Sequence, residues 1–234
     1  MSRNRLPGIL APIFIGAAII ASWRLEPSHR PIELEAATEV RSVAQVQSAF
    51  AAAWAPGAPG FELGAADAPV SVLELADFGC RYCGNFALET FPALLAEYVN
   101  AGKVRWKYVP FVMGMFPNGK DAAVAAACAA EQGEENFWLM HDQLYTRQTE
   151  WQAAGDPAEL LLAYARAMAV DTVQFQRCWS SGAAAQRVAR AGRTAEQLGV
   201  RATPTFFVDG RRIEGALPVA EFRAVLNKAL AAAR

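Results

Sequence analysis

Between Pro69 and Gly79 the chain runs VSVLELADF, and Val70, Val72, Leu73 and Leu75 make it a short apolar stretch rich in β-branched residues. That pattern predicts a strand buried on both faces, with one acid, Glu74, embedded in it. Past Gly79 the period changes. Phe91, Leu94, Leu95, Tyr98 and Val99 recur at spacings of three and four, the stripe of an amphipathic helix that Gly102 closes and Pro92 kinks. Val104 to Val109 then alternates, with Val104, Trp106 and Tyr108 on one side and Arg105 and Lys107 on the other. A period of two predicts a half-exposed strand, which Pro110 ends. Strand, helix, strand is a βαβ unit with a right-handed crossover, and Phe61 to Leu63 predicts a short strand ahead of it.

Gly119 to Leu198 carries no strand signal and reads as helical throughout. Lys120 to Gln132 is an alanine-rich helix stopped by Gly133, and Glu135 to Arg147 gathers Phe137, Leu139, Met140, Leu144 and Tyr145. Pro157 opens a third helix, Thr172 caps a fourth containing Phe175 and Trp179, and Ala183 to Leu198 is a fifth ended by Gly199. A helical block of this length inside an α/β pattern must pack as a lid or subdomain. The α/β pattern resumes with Thr205 to Val208 and Arg211 to Gly215, joined by Asp209-Gly210, a dipeptide favoured in tight hairpins. Pro218 starts a last helix, with Phe222, Val225, Leu226 and Ala229 on one face.

Upstream, Leu6 to Trp23 is an uncharged run of 18 residues with Arg3 and Arg5 before it and Arg24 after. It is just long enough to span a bilayer, and the leading arginines place its N-terminus in the cytoplasm. A cleaved signal peptide is the competing reading, although Ile19, Ala21 and Trp23 fit a cleavage site poorly. Both readings export the rest of the chain to a compartment where disulfides persist. Glu26 to Gly60 contains four prolines and reads as a spacer with a helix from Glu39 to Trp54, in which Val40, Val43, Val46, Phe50 and Trp54 form a packing stripe. The expected divisions are an anchor or signal at 1–25, a linker with a helix at 26–60, an α/β part at 61–116, the helical insertion at 117–199 and the closing α/β part at 200–234.

With 53% apolar and 19% charged residues in 234, the chain holds enough apolar surface for a packed core. A net charge of -1 leaves no electrostatic footprint for nucleic acid. The chemistry lies in Cys80-Arg81-Tyr82-Cys83. A strand delivering Cys80 to the first turn of a helix sets its sulfur among free N–H groups at the positive end of the helix dipole, where a thiolate is stabilised. Cys80 is therefore the candidate nucleophile. Cys83, one turn on, is placed to close a disulfide with it or to resolve a mixed disulfide with a substrate. Half of a zinc site and a purely structural bridge are the plainer readings of the same spacing, but there is no second such pair to complete a zinc site. The two histidines, His29 and His141, are too few and too far apart to hold a metal.

A strand leading into ADFGCRYC, a helical insertion, then GVRATPTFFVDGRRIEG with a Thr-Pro ahead of a hairpin and a terminal helix: taken together and in this order, these resemble the DsbA-like branch of the thioredoxin superfamily over about residues 61 to 230. The resemblance implies a thioredoxin fold with an inserted all-helical subdomain, here preceded by a transmembrane segment. It implies that Pro204 is cis and faces the dithiol, with the backbone of Thr203 offered to an extended substrate segment. Arg81 and Tyr82, between the cysteines, are the other expected substrate contacts. Glu74 matches the family's acid on the central strand; burial should raise its pKa, letting it accept and return the Cys83 proton. The alternative for Glu74 is a solvent-facing carboxylate at a strand end, and for Asp77 a side chain bonded to its own turn. Relatives place proline directly after the first cysteine; Arg81 stands there instead, and its charge should favour the Cys80 thiolate. In an oxidising compartment the remaining Cys128 and Cys178 pair most economically with each other, one of three possible connectivities.

The resulting expectation is a membrane-tethered, extracytoplasmic enzyme that uses no cofactor beyond the Cys80–Cys83 disulfide. It would oxidise cysteine pairs of exported proteins and be reoxidised by a membrane redox partner. Reductase or isomerase action by the same dithiol, and a redox-inert peptide-binding module using a groove lined by Phe78, Tyr82, Phe111 and Phe116, are the alternatives.

Overall fold

In the computed structural model of the chain, residues 42–233 are described, and they belong to one compact unit. A five-stranded sheet runs through it in the order β1-β3-β2-β4-β5, made of β1 (Phe61–Leu63), β2 (Val70–Ala76), β3 (Val104–Pro110), β4 (Thr205–Val208) and β5 (Arg211–Glu214). Strands β2 and β3 pair in parallel and the other neighbours pair antiparallel. The crossover from β2 to β3 is the kinked helix. It begins as α2 (Arg81–Asn85), widens into a π-helical stretch at Phe86–Thr90, re-forms as α3 (Phe91–Leu94) with Pro92 in its first turn, and ends in a second π stretch at Leu95–Val99. The missing N–H of Pro92 and the bulge just ahead of it account for the bend.

Because strand side chains alternate, β2 feeds two cores. Val70 and Val72 pack with Phe86, Phe91, Trp106, Phe206 and Phe222 under the crossover helix and α10 (Val219–Ala232). Leu73 and Leu75 face the other way, toward α1 (Val43–Ala53) and α9 (Ala183–Gln197), with Val109, Ala191, Ala195 and Phe207. A third cluster, over the C-terminal end of β2, joins Phe78, the dithiol and Tyr108 to the insertion helices.

Strand β3 is not half exposed. Lys107 is 2% exposed: α1 lies over it, and its Nζ donates to the Ala53 carbonyl at 2.8 Å and pairs with Glu62 at 3.1 Å. Arg105 stacks its guanidinium 3.9 Å from the Trp54 ring. The alternation was real, but the polar side is roofed by a helix from outside the sheet. That helix starts at Val43, behind a Ser42–Gln45 capping box. Of its expected stripe, Val46, Phe50 and Trp54 pack, Val43 is exposed, and Val40 lies outside the described residues. So does the apolar run 6–23; among the described residues no helix is long and apolar enough to cross a membrane.

The insertion holds one more helix than the hydrophobic pattern predicts. It comprises α4 (Gly119–Ala129) with a 3₁₀ turn at Ala130–Gln132, α5 (Glu134–Thr146), α6 (Gln148–Ala153), α7 (Ala158–Ala167) and α8 (Thr172–Ser181), followed by α9. The extra one is α6, a short helix whose one fully buried apolar anchor, Trp151, gives no period to read. The cap of α8 is Asp171, not Thr172; its carboxylate accepts from the backbone N–H of Val173 and Gln174. Cys128 on α4 is bonded to Cys178 on α8, stapling the first and fifth of these helices. The hairpin turn falls at Asp209 and Gly210, at φ of 46° and 79°, as a primed turn requires.

The staple closes a loop across a separation of 50 residues, which on the chain-entropy account is worth about 4 kcal/mol. A double variant, Cys128→Ala with Cys178→Ala, is expected to lose about that much in urea unfolding, as a lower midpoint with a somewhat steeper slope, because the unlinked unfolded chain exposes more surface. A loss below about 1 kcal/mol would mean that packing alone holds the insertion.

Candidate active site

At the C-terminal end of β2 the chain leaves the sheet through Asp77, Phe78 and Gly79 and enters α2 with Cys80 as N-cap. Both site cysteines are free thiols in this structure, and Cys80 is 4% exposed while Cys83 is wholly covered. Across a narrow gap stands Thr203, whose bond to Pro204 is cis and whose carbonyl accepts from Cys80 Sγ at 3.3 Å. The strand, the helix tip and the Thr-Pro loop therefore meet at one sulfur, although 123 residues separate its two sides.

The two thiols sit in opposite environments. The Cys80 pKa falls to about 6: the Cys83 thiol hydrogen-bonds to its sulfur, and Thr203 and the backbone N–H groups of Cys83 and Tyr82 add to that against the opposing effect of burial. Burial pushes the Cys83 thiol well above the ordinary range, and the neighbouring Cys80 reinforces it. At neutral pH the reduced pair is a thiolate at Cys80 beside a protonated Cys83.

Strands β2 and β3 carry a buried polar cluster. Glu74 falls on the same face of β2 as Val70 and Val72, 2% exposed, and accepts from Trp106 Nε1 at 2.9 Å through one carboxyl oxygen; the other has no protein partner. Burial raises its pKa to about 8, with the Trp106 hydrogen bond pulling the other way, so it carries a proton at pH 7. Tyr108 lies opposite Glu74 in the β2–β3 register, and its hydroxyl is 2.9 Å from that of Tyr145. The Tyr108 phenol is raised by its burial first, then by Glu74 and Cys83.

Asp77 has a wider role than its own turn. One carboxyl oxygen accepts from Gly79 N–H at 2.8 Å and the other from Met113 N–H at 2.7 Å. Thr203 Oγ1 donates to Met113 Sδ at 3.5 Å, so the contacts run from Gly79 through Asp77 and Met113 to Thr203, and from Thr203 back to Cys80. Tyr82 is 65% exposed and Arg81 is also exposed, on the outer rim of the dithiol turn. Phe78 is fully buried, while Phe111 and Phe116 are half-buried, so Phe78 cannot line an open groove. His141 is buried with Nδ1 at 2.9 Å from Asp142, away from any metal-type cluster, and none occurs among the described residues. The sequence pattern passed over Trp106, Met113, Tyr145, Gln148 and Gln152. Their signal was spatial, except that Trp106 and Tyr108 already shared the inward side of β3.

The family described as Thioredoxin matches residues 58–228. The chain is 39% identical over 171 residues to the Na(+)/H(+) antiporter NhaA 3 of Salinispora tropica, a match that covers 73% of this chain and 25% of that protein. Thus the chain spans about a quarter of the length of the first curated relatives it matches. It is 30% identical over 155 residues to the probable disulfide bond formation protein D of Bacillus cereus, covering 63% of this chain and 69% of the relative. Among solved structures, oxidised BdbD from Bacillus subtilis superposes with a TM-score of 0.67 at 24% identity, over 74% of this chain and 93% of that one.

Proposed function

We propose, on the premise that this chain belongs to the DsbA-like branch of the thioredoxin family, that it is a thiol-disulfide oxidoreductase that oxidises cysteine pairs of exported proteins outside the cytoplasm. The observation that carries the reading is the split between its two thiols: Cys80 is favoured as a thiolate and Cys83 as a thiol, with Cys80 alone at the gap facing Thr203. A low-pKa sulfur is a good leaving group, and a thiolate stabilised in the reduced pair makes the corresponding disulfide more oxidising.

The cycle then runs in two exchanges. A substrate thiolate attacks Cys80 Sγ of the oxidised pair, the Cys80–Cys83 bond breaks, and the sulfur of Cys83 leaves and takes up a proton. A second substrate thiolate attacks the substrate sulfur of the mixed disulfide and expels Cys80 as thiolate. The substrate has lost two electrons as a new disulfide, and the enzyme holds them as the dithiol, to be passed to a membrane redox partner. Glu74, buried and protonated at neutral pH, supplies the proton that the leaving sulfur takes up. Thr203 offers backbone groups for an extended substrate segment, with Arg81 and Tyr82 beside it. The apolar run 6–23 tethers the enzyme to the membrane.

Cys83→Ala removes the sulfur that would release a stalled adduct. Expressed in cells, this variant is expected to accumulate mixed disulfides through Cys80 that run as high-mass bands without reductant and collapse with it. Recovery of no such adducts, or of the same adducts from a variant that also lacks Cys80, would rule the exchange reading out and favour a redox-inert peptide-binding module.

A further inference from the structure

The carbonyls of Phe78, Gly79 and Cys80 all point out of the dithiol loop toward the insertion, and two side chains from α6 receive them. Gln148 Nε2 donates to Phe78 O at 2.6 Å and to Cys80 O at 3.0 Å, and Gln152 Nε2 donates to Gly79 O at 2.8 Å. The two glutamines stand four residues apart, on one face of the helix. The approach is close: a Cβ on Gly84 would come within 3.2 Å of Gln148 Oε1, so only glycine in that turn of α2 leaves the amide full room. Helix α6 is itself pinned. Trp151 is fully buried with its Nε1 donating to Leu144 O at 2.7 Å, and Asn118 Nδ2 donates to the carbonyls of Trp151 and Ala154 at 2.8 and 2.9 Å.

We propose that Gln148 and Gln152 are positioning residues for the redox pair, through which the helical insertion sets how readily Cys80 ionises. Two physical effects act in the same direction. The Tyr82 and Cys83 N–H groups that meet the Cys80 sulfur are aimed by the backbone of residues 78 to 80, and three amide hydrogen bonds fix that backbone. The same donors also meet the Phe78 and Gly79 carbonyl oxygens, and add a second donor at Cys80 O, which already accepts from Gly84 N–H at 3.1 Å, so less negative charge is left bare in the loop that carries the thiolate. Both amides are neutral, so the clamp works without placing a charge near the sulfur. This inference rests on the exchange reading only for its biological use; the clamp itself is read from ionisation.

Methionine matches glutamine in length and lacks the donors, so Gln148→Met, Gln152→Met and the double variant test it. Thiolate absorbance of the reduced protein, with the Cys128–Cys178 bond intact, is followed against pH. The double variant is expected to raise the Cys80 midpoint by about one pH unit, with each single variant showing part of that shift. Well above both midpoints, the equilibrium with glutathione should move about tenfold toward the protein disulfide. The Cys128→Ala/Cys178→Ala protein is the control, since it weakens the insertion without touching the clamp and should keep the wild-type midpoint. Folded Met variants that keep the wild-type midpoint, or a control that shifts as they do, would overturn the proposal. A wild-type protein that fails to exchange thiols while the midpoints still move would sink the exchange reading and leave the clamp standing.

Discussion

Cys80→Ser is expected to abolish oxidation of a reduced peptide dithiol, lowering the rate by at least about a thousandfold, while the fold remains. Serine fills almost the same space at the N-cap and is a good capping residue in its own right, so α2 should not suffer. What disappears is the sulfur that forms the mixed disulfide and leaves as a thiolate. The same variant should lose the low-pH thiolate transition, centred at about 6 in the wild type, because Cys83 stays protonated well beyond that range. Stopped-flow kinetics and an absorbance titration on one preparation read both effects. Residual oxidation above one tenth of wild type, or a thiolate transition near pH 6 that persists without Cys80, would show that the wrong sulfur has been assigned.

Glu74→Gln is expected to separate stability from catalysis. A carboxyl whose pKa is 4.5 in the unfolded chain and about 8 in the folded one holds, between those pH values, a proton that unfolding releases. Stability from this group is therefore full below pH 4.5 and falls as pH rises toward 8, by on the order of 4 to 5 kcal/mol in total. Glutamine keeps an acceptor for Trp106 Nε1 and has nothing to ionise, so this position adds no pH dependence in the variant. At acid pH it gains nothing, because its buried amide N–H groups inherit the site where the second carboxyl oxygen has no protein partner. The comparison belongs in the oxidised protein, where neither site thiol titrates. The difference in denaturant midpoint between wild type and variant should change from pH 5 to pH 8, with the contributions of His141, lowered by burial, and Asp77, raised by burial, common to both proteins. If exchange uses the Glu74 proton, the variant also reduces its disulfide more slowly, with the pH dependence of that step lost. Parallel stability curves for the two proteins would show that Glu74 is not a buried acid at all.

Both predictions turn on residues that the chain announces openly. The strand ending at Ala76, the change of period at Gly79, the Cys-x-x-Cys and the Thr-Pro ahead of a hairpin are local patterns, because each follows from the periodicity of one element and the residues that stop it. Glu74 was legible for the same reason: an acid between Val72 and Leu75 cannot reach solvent from a strand covered on both faces. The pattern misled where neighbours distant in sequence decide burial. Lys107 reads as exposed, yet α1 supplies the Ala53 carbonyl that lets a lysine be roofed over. Asp77 reads as a turn residue, yet its second oxygen reaches Met113.

By itself, then, the sequence determined the α/β framework, the interrupting helical block, the dithiol at a helix tip and the sulfur that should be the nucleophile, since these are set by side-chain period, caps and breakers within single elements. Only the tertiary structure decided what surrounds that sulfur: the Thr203 carbonyl across the gap, the Asp77–Met113 tie, the Tyr108–Tyr145 pair and the two glutamines of a helix without a readable period. Those contacts join residues 36 to 123 positions apart. A hydrogen bond across such a separation leaves no trace in local hydrophobic spacing; it exists because the cores on either side of the sheet fix where each loop must come to rest.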